Sequence, residues 1–216
     1  MVTTDDLRPA RGTDTRRAIL EAAMALYARR GVKGTGLAAI GQAAGVTHAG
    51  VLYHFGSVQK LLQAVIDERD RRFWRETPAT WEGHDGLDAL RRLPRLAEWN
   101  AANRELTKLF ATLEAESLDE DHEAHAFFVE RQRRVRRRIR RAIETGQRRG
   151  EIHAGIDARL KADEVVSFMT GAQLCALLDP TVDLVAVFER YTEGLILALT
   201  TRAPRGRARH TRSHRR

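Results

Sequence analysis

An all-α fold of about nine helices, with a three-helix N-terminal unit followed by a larger helical region, is what these 216 residues predict. Three observations carry the prediction. Apolar residues recur at helical spacing along most of the chain. Glycine, proline and capping residues fall where those stretches begin and end. The segment Ile40 to Phe55, IGQAAGVTHAGVLYHF, reads as two short helices meeting at a glycine turn.

Residues 1–12 read as a loose arm, with Arg8 and Arg11 suited to solvent or to a phosphate contact. Thr13 or Asp14 is expected to cap a first helix that runs to about Arg30, with Ile19, Ala22, Ala23, Leu26 and Tyr27 on its apolar face. A second helix is expected over Thr35–Ala44 and a third over Thr47–His54. Between them Gly41 lets the backbones approach, and Gly45 accepts the positive φ of a tight turn. Ile40, Ala44, Val46 and Val51 lock the pair at a steep angle, the order that a helix-turn-helix requires.

The outer face of the third helix carries Thr47, His48, Gly50 and Tyr53, with His54 at its end. Such a helix fits the major groove of duplex DNA, its first residues toward the base edges. Thr47 caps the helix and offers a hydroxyl to phosphate, while the His48 ring nitrogens meet a base edge or phosphate. Ala49 and Gly50 permit close apolar contact, as with a thymine methyl. Tyr53 and His54 suit phosphates, which fix register but read no sequence. A charged His48 implies DNA affinity that rises as pH falls.

Ser57 is expected to cap a fourth helix bearing Leu61, Leu62, Val65, Ile66 and Phe73, long enough to leave the head. Thr77 to Gly86 reads as a linker. A helix over Leu87–Asn100 contains Pro94, which removes a backbone donor and demands a kink or a restart. Glu105–Ser117 follows, then a long helix capped by Asp119 or Asp121 and ending near Arg149. Its run RQRRVRRRIRR, Arg131 to Arg141, reads as a solvated face around Val135, Ile139, Ala142 and Ile143, with a second nucleic-acid surface as the alternative.

Two last helices are expected over Asp157–Leu178 and Thr181–Thr200, the second capped by Asp179 with Pro180 in its first turn. They are apolar nearly all round, which calls for cover on every side. Pairing with a second copy in a four-helix bundle supplies it, through Val165, Phe168, Met169, Ala172, Leu184, Val187, Phe188, Tyr191 and Leu195, with Gly171 and Gly194 at close approaches. A well-buried monomer core is the alternative. The expected organisation is an arm (1–12), a helix-turn-helix domain (13–60), an effector-binding and dimerisation domain (61–201) and a basic tail (202–216).

Ile19-Leu-Glu-Ala-Ala, Leu26-Tyr27, Gly31, Ile40, Ala44-Gly45-Val46-Thr47, Leu52-Tyr53-His54-Phe55, Gly56-Ser57 and Leu61-Leu62 together resemble the TetR family of bacterial transcription regulators, over about a quarter of the chain. The resemblance implies a palindromic DNA operator, a homodimer, repression rather than activation, and a small-molecule effector enclosed by the later helices. Its DNA-contact positions are those of the third helix together with Thr35, Gly36 and Lys60. The chain departs from the family pattern at His48, where Lys or Arg is frequent, and at Val58, where Lys is frequent and Lys60 stands nearby. Gly36 occupies a usual Ser or Thr cap, so Thr35 or the Gly36 backbone must serve. For the effector, Trp74, Trp81, Trp99, Asn100, Asn103, Phe110, Glu114 and Phe127 combine apolar walls with a few polar groups.

The net charge of +8 misleads as a guide to the folded part, because Arg202–Arg216 holds seven arginines and no acid. Residues 1–60 remain basic on their own, with eight Lys/Arg against four Asp/Glu, which suits phosphate neutralisation. No apolar run reaches membrane-spanning length, the polar N-terminus resembles no signal peptide, and the single cysteine, Cys175, is expected to be buried packing. A soluble bacterial cytoplasmic, nucleoid-associated protein fits these features. No phosphate loop, cysteine pair or nucleophile elbow marks an enzyme, and no cofactor is expected. Asp119, Asp121, His122 and His125 form the one cluster with metal-ligand types, read as a helix start rather than a site. The competing function is sequence-independent nucleic-acid binding through the arginine-rich helix and tail, with its steep salt dependence.

Overall fold

The computed structural model describes residues 8–77 and 83–201, with side chains from Thr13 onward. Most of the expected arm, Trp81 and the basic tail lie outside the described residues. Among the described residues there are ten helices and no strand. They are α1 (Arg8–Arg30), α2 (Leu37–Ala43), α3 (His48–Phe55), α4 (Val58–Glu76), α5 (Gly86–Arg91), α6 (Leu93–Ala102), α7 (Arg104–Glu116), α8 (His125–Arg148), α9 (Ala158–Leu178) and α10 (Leu184–Thr200). The tenth comes from Pro94, which sits in the first turn of α6 and turns the expected single helix into α5 and α6.

Several helix starts follow local chemistry. Thr47 Oγ1 accepts from the Gly50 N–H at 3.1 Å, Ser57 Oγ from Lys60 N–H at 3.1 Å, and Asp157 Oδ1 from Arg159 and Leu160 N–H at 2.9 and 3.1 Å. Others differ from expectation. α1 already begins at Arg8, so neither Thr13 nor Asp14 caps it. α8 begins at His125 without a side-chain cap, because Asp119 is drawn to Lys33 Nζ at 3.2 Å and to the Asp121 N–H. α10 begins at Leu184, where Asp183 accepts from Val185 and Ala186 N–H, while Asp179 closes a turn onto Thr181.

The packing has two centres. One joins α1–α4 to Leu109, Phe110 and Leu113 of α7 and Phe128 of α8. The other joins Phe73 at the far end of α4 to α5, α6, α8, α9 and α10. α4 therefore belongs to both, and its Arg72 bridges to Glu21 on α1 and Glu68 on its own helix. α7 ties the head down from the other side: the Glu116 carboxylate accepts the Val32 N–H at 3.0 Å, just past the end of α1.

Candidate nucleic-acid interface and ligand cavity

The helix-turn-helix rests on two glycines with different duties. A Cβ on Gly41 would lie 2.8 Å from Val46 O and 3.1 Å from Thr47 C, so only hydrogen fits where the turn folds back over α2. Gly45 has φ +71°, and no atom crowds it, so the backbone angle alone demands glycine there. Val51 and Phe55 on the inner face of α3 are buried, and Arg16 of α1 lies 4.5 Å over the Phe55 ring.

That anchoring turns the opposite face outward. Thr47, His48 and Ala49 are exposed, and Tyr53 is 86 % exposed, an extreme value for an aromatic with no packing duty. Gly50 and His54 are partly covered, and the His54 ring meets Tyr53 edge-on at 5.3 Å. Lys60 lies exposed at the first turn of α4, and Gly36 is the exposed N-cap of α2. Thr35 alone among the expected DNA contacts turns inward. It is buried, and its hydroxyl donates to Gly31 O at 2.7 Å, so the Gly36 backbone marks the start of α2.

The cavity lies among α4, α6, α7, α8, α9 and α10 and measures about 110 Å³. One water needs only about 10–15 Å³ on such a measure, so the space has room for a larger molecule. Of the residues proposed for an effector, Trp74, Asn100, Phe110 and Glu114 line it. Trp99 is instead packed behind the wall, edge-on to Phe73 with its Nε1–H donating to Glu76 at 2.9 Å. Asn103 spends its amide on Trp99 O at the end of α6, and Phe127 packs against Phe128 in the head's core. Trp81 lies outside the described residues.

Sequence reasoning missed the polar wall. Arg69 and Asp70 of α4 face the cavity, as do Arg131, Arg134 and Arg138 of α8 and Gln173 of α9. The reading of the arginine run as a solvated face therefore holds for only part of it. Arg136, Arg137 and Arg140 pair at the surface with Asp163, Glu130 and Glu144. Arg131 and Arg138 turn inward beside Val135, and the exposed Arg134, three residues on from Arg131, reaches the same cavity from its rim. The spacing was visible in the sequence, but nothing local distinguishes which arginine stripe a neighbouring helix will cover. Burial pushes the Arg69 guanidinium down to about 9, with the charge of Arg131 adding to the effect.

The expected dimer residues divide. Val165, Leu184, Phe188 and Leu195 close the protomer's own core, because α6 and α8 cover that side of α9 and α10. Phe168 stacks on Tyr191 at 3.6 Å, and both are half-covered with Met169 and Ala172. Val187 is exposed, as are Leu174, Leu178 and Leu197, at 50, 77 and 63 %. Gly171 and Gly194 are exposed, with open space where a Cβ would stand. Cys175 is exposed too, not buried as expected.

The Asp/His cluster is committed to structure. Besides the Asp119 contacts, His122 Nδ1 accepts the Ala124 N–H and His125 Nδ1 lies 2.8 Å from Ser117 O. Among the described residues no group of three His, Cys, Asp or Glu side chains is placed to hold a metal, and no helix is long and apolar enough to cross a membrane.

Comparison with known proteins agrees with this geometry. Residues 19–65 match the family model for bacterial regulatory proteins of the tetR family, and residues 86–192 match the tetracyclin repressor-like C-terminal domain. A probable HTH-type transcriptional regulator, ArpR of Pseudomonas putida, is 38 % identical over 77 residues, 36 % of each chain. That match spans about a third of the relative's length. Among solved structures, a transcriptional regulator of Saccharomonospora viridis in complex with choline superposes with a TM-score of 0.74 at 23 % identity, covering 88 % of this chain and 100 % of the other. The structure of AibR with isovaleryl coenzyme A and operator DNA gives 0.64 at 22 % identity, over 86 % and 98 %.

Proposed function

The chain belongs to the TetR family of bacterial regulatory proteins and is a DNA-binding transcriptional regulator, not an enzyme; on that premise we propose that it acts as a homodimeric repressor released from a palindromic operator by a small molecule. The observation that carries the proposal is the continuity of α4 and α7. Each has one part in the core of the DNA-reading head and another on the cavity wall.

In this reading, α3 enters the major groove, with His48 and Ala49 at base edges and Thr47, Tyr53, His54 and Lys60 on phosphates. The uncovered faces of α9 and α10 pair with those of a second copy, which sets two α3 helices roughly 34 Å apart. A ligand against Arg69, Trp74, Phe110 and Glu114 biases α4 and α7, and the Glu116 contact at Val32 carries that bias to the head. The AibR complex with isovaleryl coenzyme A and operator DNA, and the choline complex, are precedents for such partners. Because coupling is reciprocal, operator DNA must weaken ligand binding by the factor by which ligand weakens DNA binding. The division of labour at about residue 60 falls inside the first turn of α4, and the basic tail adds sequence-independent affinity.

Selection from a random duplex pool at about 150 mM salt tests this, since phosphate-only binding is weak there. The expected result is a two-fold symmetric motif, kept by a chain truncated after Thr201 and lost in a His48→Ala/Tyr53→Ala double variant. No enriched motif, with binding lost on truncation, moves the function to the arginine tail.

A further inference from the structure

We propose that the cavity between α4 and α8 takes a small organic anion: a carboxylate or similarly compact anionic group on an aromatic or branched apolar body. The inference rests on reading this cavity as the effector site and adds the charge class of its occupant.

Arg69 carries the argument. It is 2 % exposed, and only one arm of its guanidinium is answered: Nη1 donates to Asp70 Oδ1 at 3.2 Å, while the buried Nε has no hydrogen-bond partner. A buried donor left unanswered costs about 1–3 kcal/mol, more when it is charged, so such a group calls for an acceptor. The Phe110 ring lies 4.0 Å from the Arg69 guanidinium and 4.2 Å from that of Arg131. Two cations on one ring, in a space shielded from water, repel each other more than they would at the surface.

Asp70 and Glu114 face these two cations. Arg138, over the Trp74 ring, and the exposed Arg134 place further positive charge on the same side, two acids against four arginines. Both acids are already engaged, Asp70 by Arg69 and Glu114 by the Gln132 amide at 2.5 Å. An ammonium ligand would meet an excess of like charge and leave the Arg69 Nε–H unanswered, since it has no acceptor to offer. A neutral one could answer Nε but not the charge. A carboxylate answers both, and the guanidinium fork suits it. The apolar remainder of the lining, with Phe73, Trp74 and Phe188, fixes the other end of the ligand as a hydrophobic body. The protein has met the cost of burying Arg69 in folding, so an arriving anion gains the interaction without reorganising the site.

The test is calorimetric titration of the full-length protein with 2-naphthoate, 2-naphthamide and 2-naphthylmethylamine, one body in three charge states. The expected order places the carboxylate at least about tenfold tighter than the amide, with the amine weakest. Arg69→Met and Arg131→Gln each bring the carboxylate to the level of the amide, and Arg131, less deeply buried than Arg69, provides the readout should the Arg69 variant not fold. Amide or amine binding as tightly as the carboxylate, or a carboxylate preference that survives substitution, overturns the anion assignment but leaves the cavity a ligand site. Binding by none of the three, with none displacing duplex DNA, overturns the cavity reading as well.

Discussion

His48 stands at the first position of α3, exposed. Its ring nitrogens stand at the tip of the helix, free to meet a base edge or a phosphate. His48→Ala is expected to lower affinity for a fixed operator duplex by roughly tenfold, the scale of one lost base or phosphate contact. Fluorescence anisotropy at constant ionic strength reads this directly, and unchanged affinity in the variant would sink it. Tyr53 makes the complementary point. Its ring was readable as a surface residue because nothing on the α3 pattern needs it inside, and at 86 % exposure its removal should cost less than about 0.5 kcal/mol of stability. Arg69 is the opposite case. A single arginine on an otherwise ordinary amphipathic helix carries no local sign that it will be sealed beneath Phe110, Phe73 and Trp99.

Elements were legible wherever a short-range contact decides them. The α2–turn–α3 unit is set by Gly41, Gly45 and the Thr47 cap, all within a few residues of one another. Gly41→Val is expected to destabilise the head by about 1–3 kcal/mol, because the new Cβ branch meets the Val46 and Thr47 backbone, which cannot yield as a side chain can. Urea unfolding alongside DNA binding checks it: both should fall, with α-helical content at zero urea little changed. The cap expected for the last helix was the wrong aspartate. Asp179 is spent on Thr181, and Asp183, four residues on, caps the helix instead. The start of α8 was illegible for a tertiary reason, since the salt bridge from Lys33 draws Asp119 away from the role of cap.

Among the described residues, the last two helices leave Leu174, Leu178, Val187 and Leu197 exposed, with two glycines that present bare backbone. The proposed dimer covers these residues, since exposed apolar groups on two neighbouring helices suit association. A Leu174→Arg/Leu197→Glu double variant is expected to sediment as a folded monomer where the wild type sediments as a dimer, and to lose most operator affinity because one head then meets one half-site. A monomeric wild type would refute the bundle. Four of the expected interface residues lie on the inward side of the same helices, and the reason is periodicity. Both α9 and α10 are apolar on more than one face, so hydrophobicity marks them as doubly covered without saying which face the protomer claims.

The sequence by itself determined the all-α class, the helix-turn-helix and its outward face, because glycine sterics, capping and 3.6-residue periodicity act over a few neighbouring residues. It also marked the last two helices as needing more cover than a surface helix does. Only the tertiary structure decided which arginines of α8 turn inward, which acids they meet, and that Arg69 is buried with an unanswered Nε. Those outcomes depend on which helices become neighbours across tens of residues, and a charged side chain reads the same in sequence whether solvent or an aromatic wall will face it.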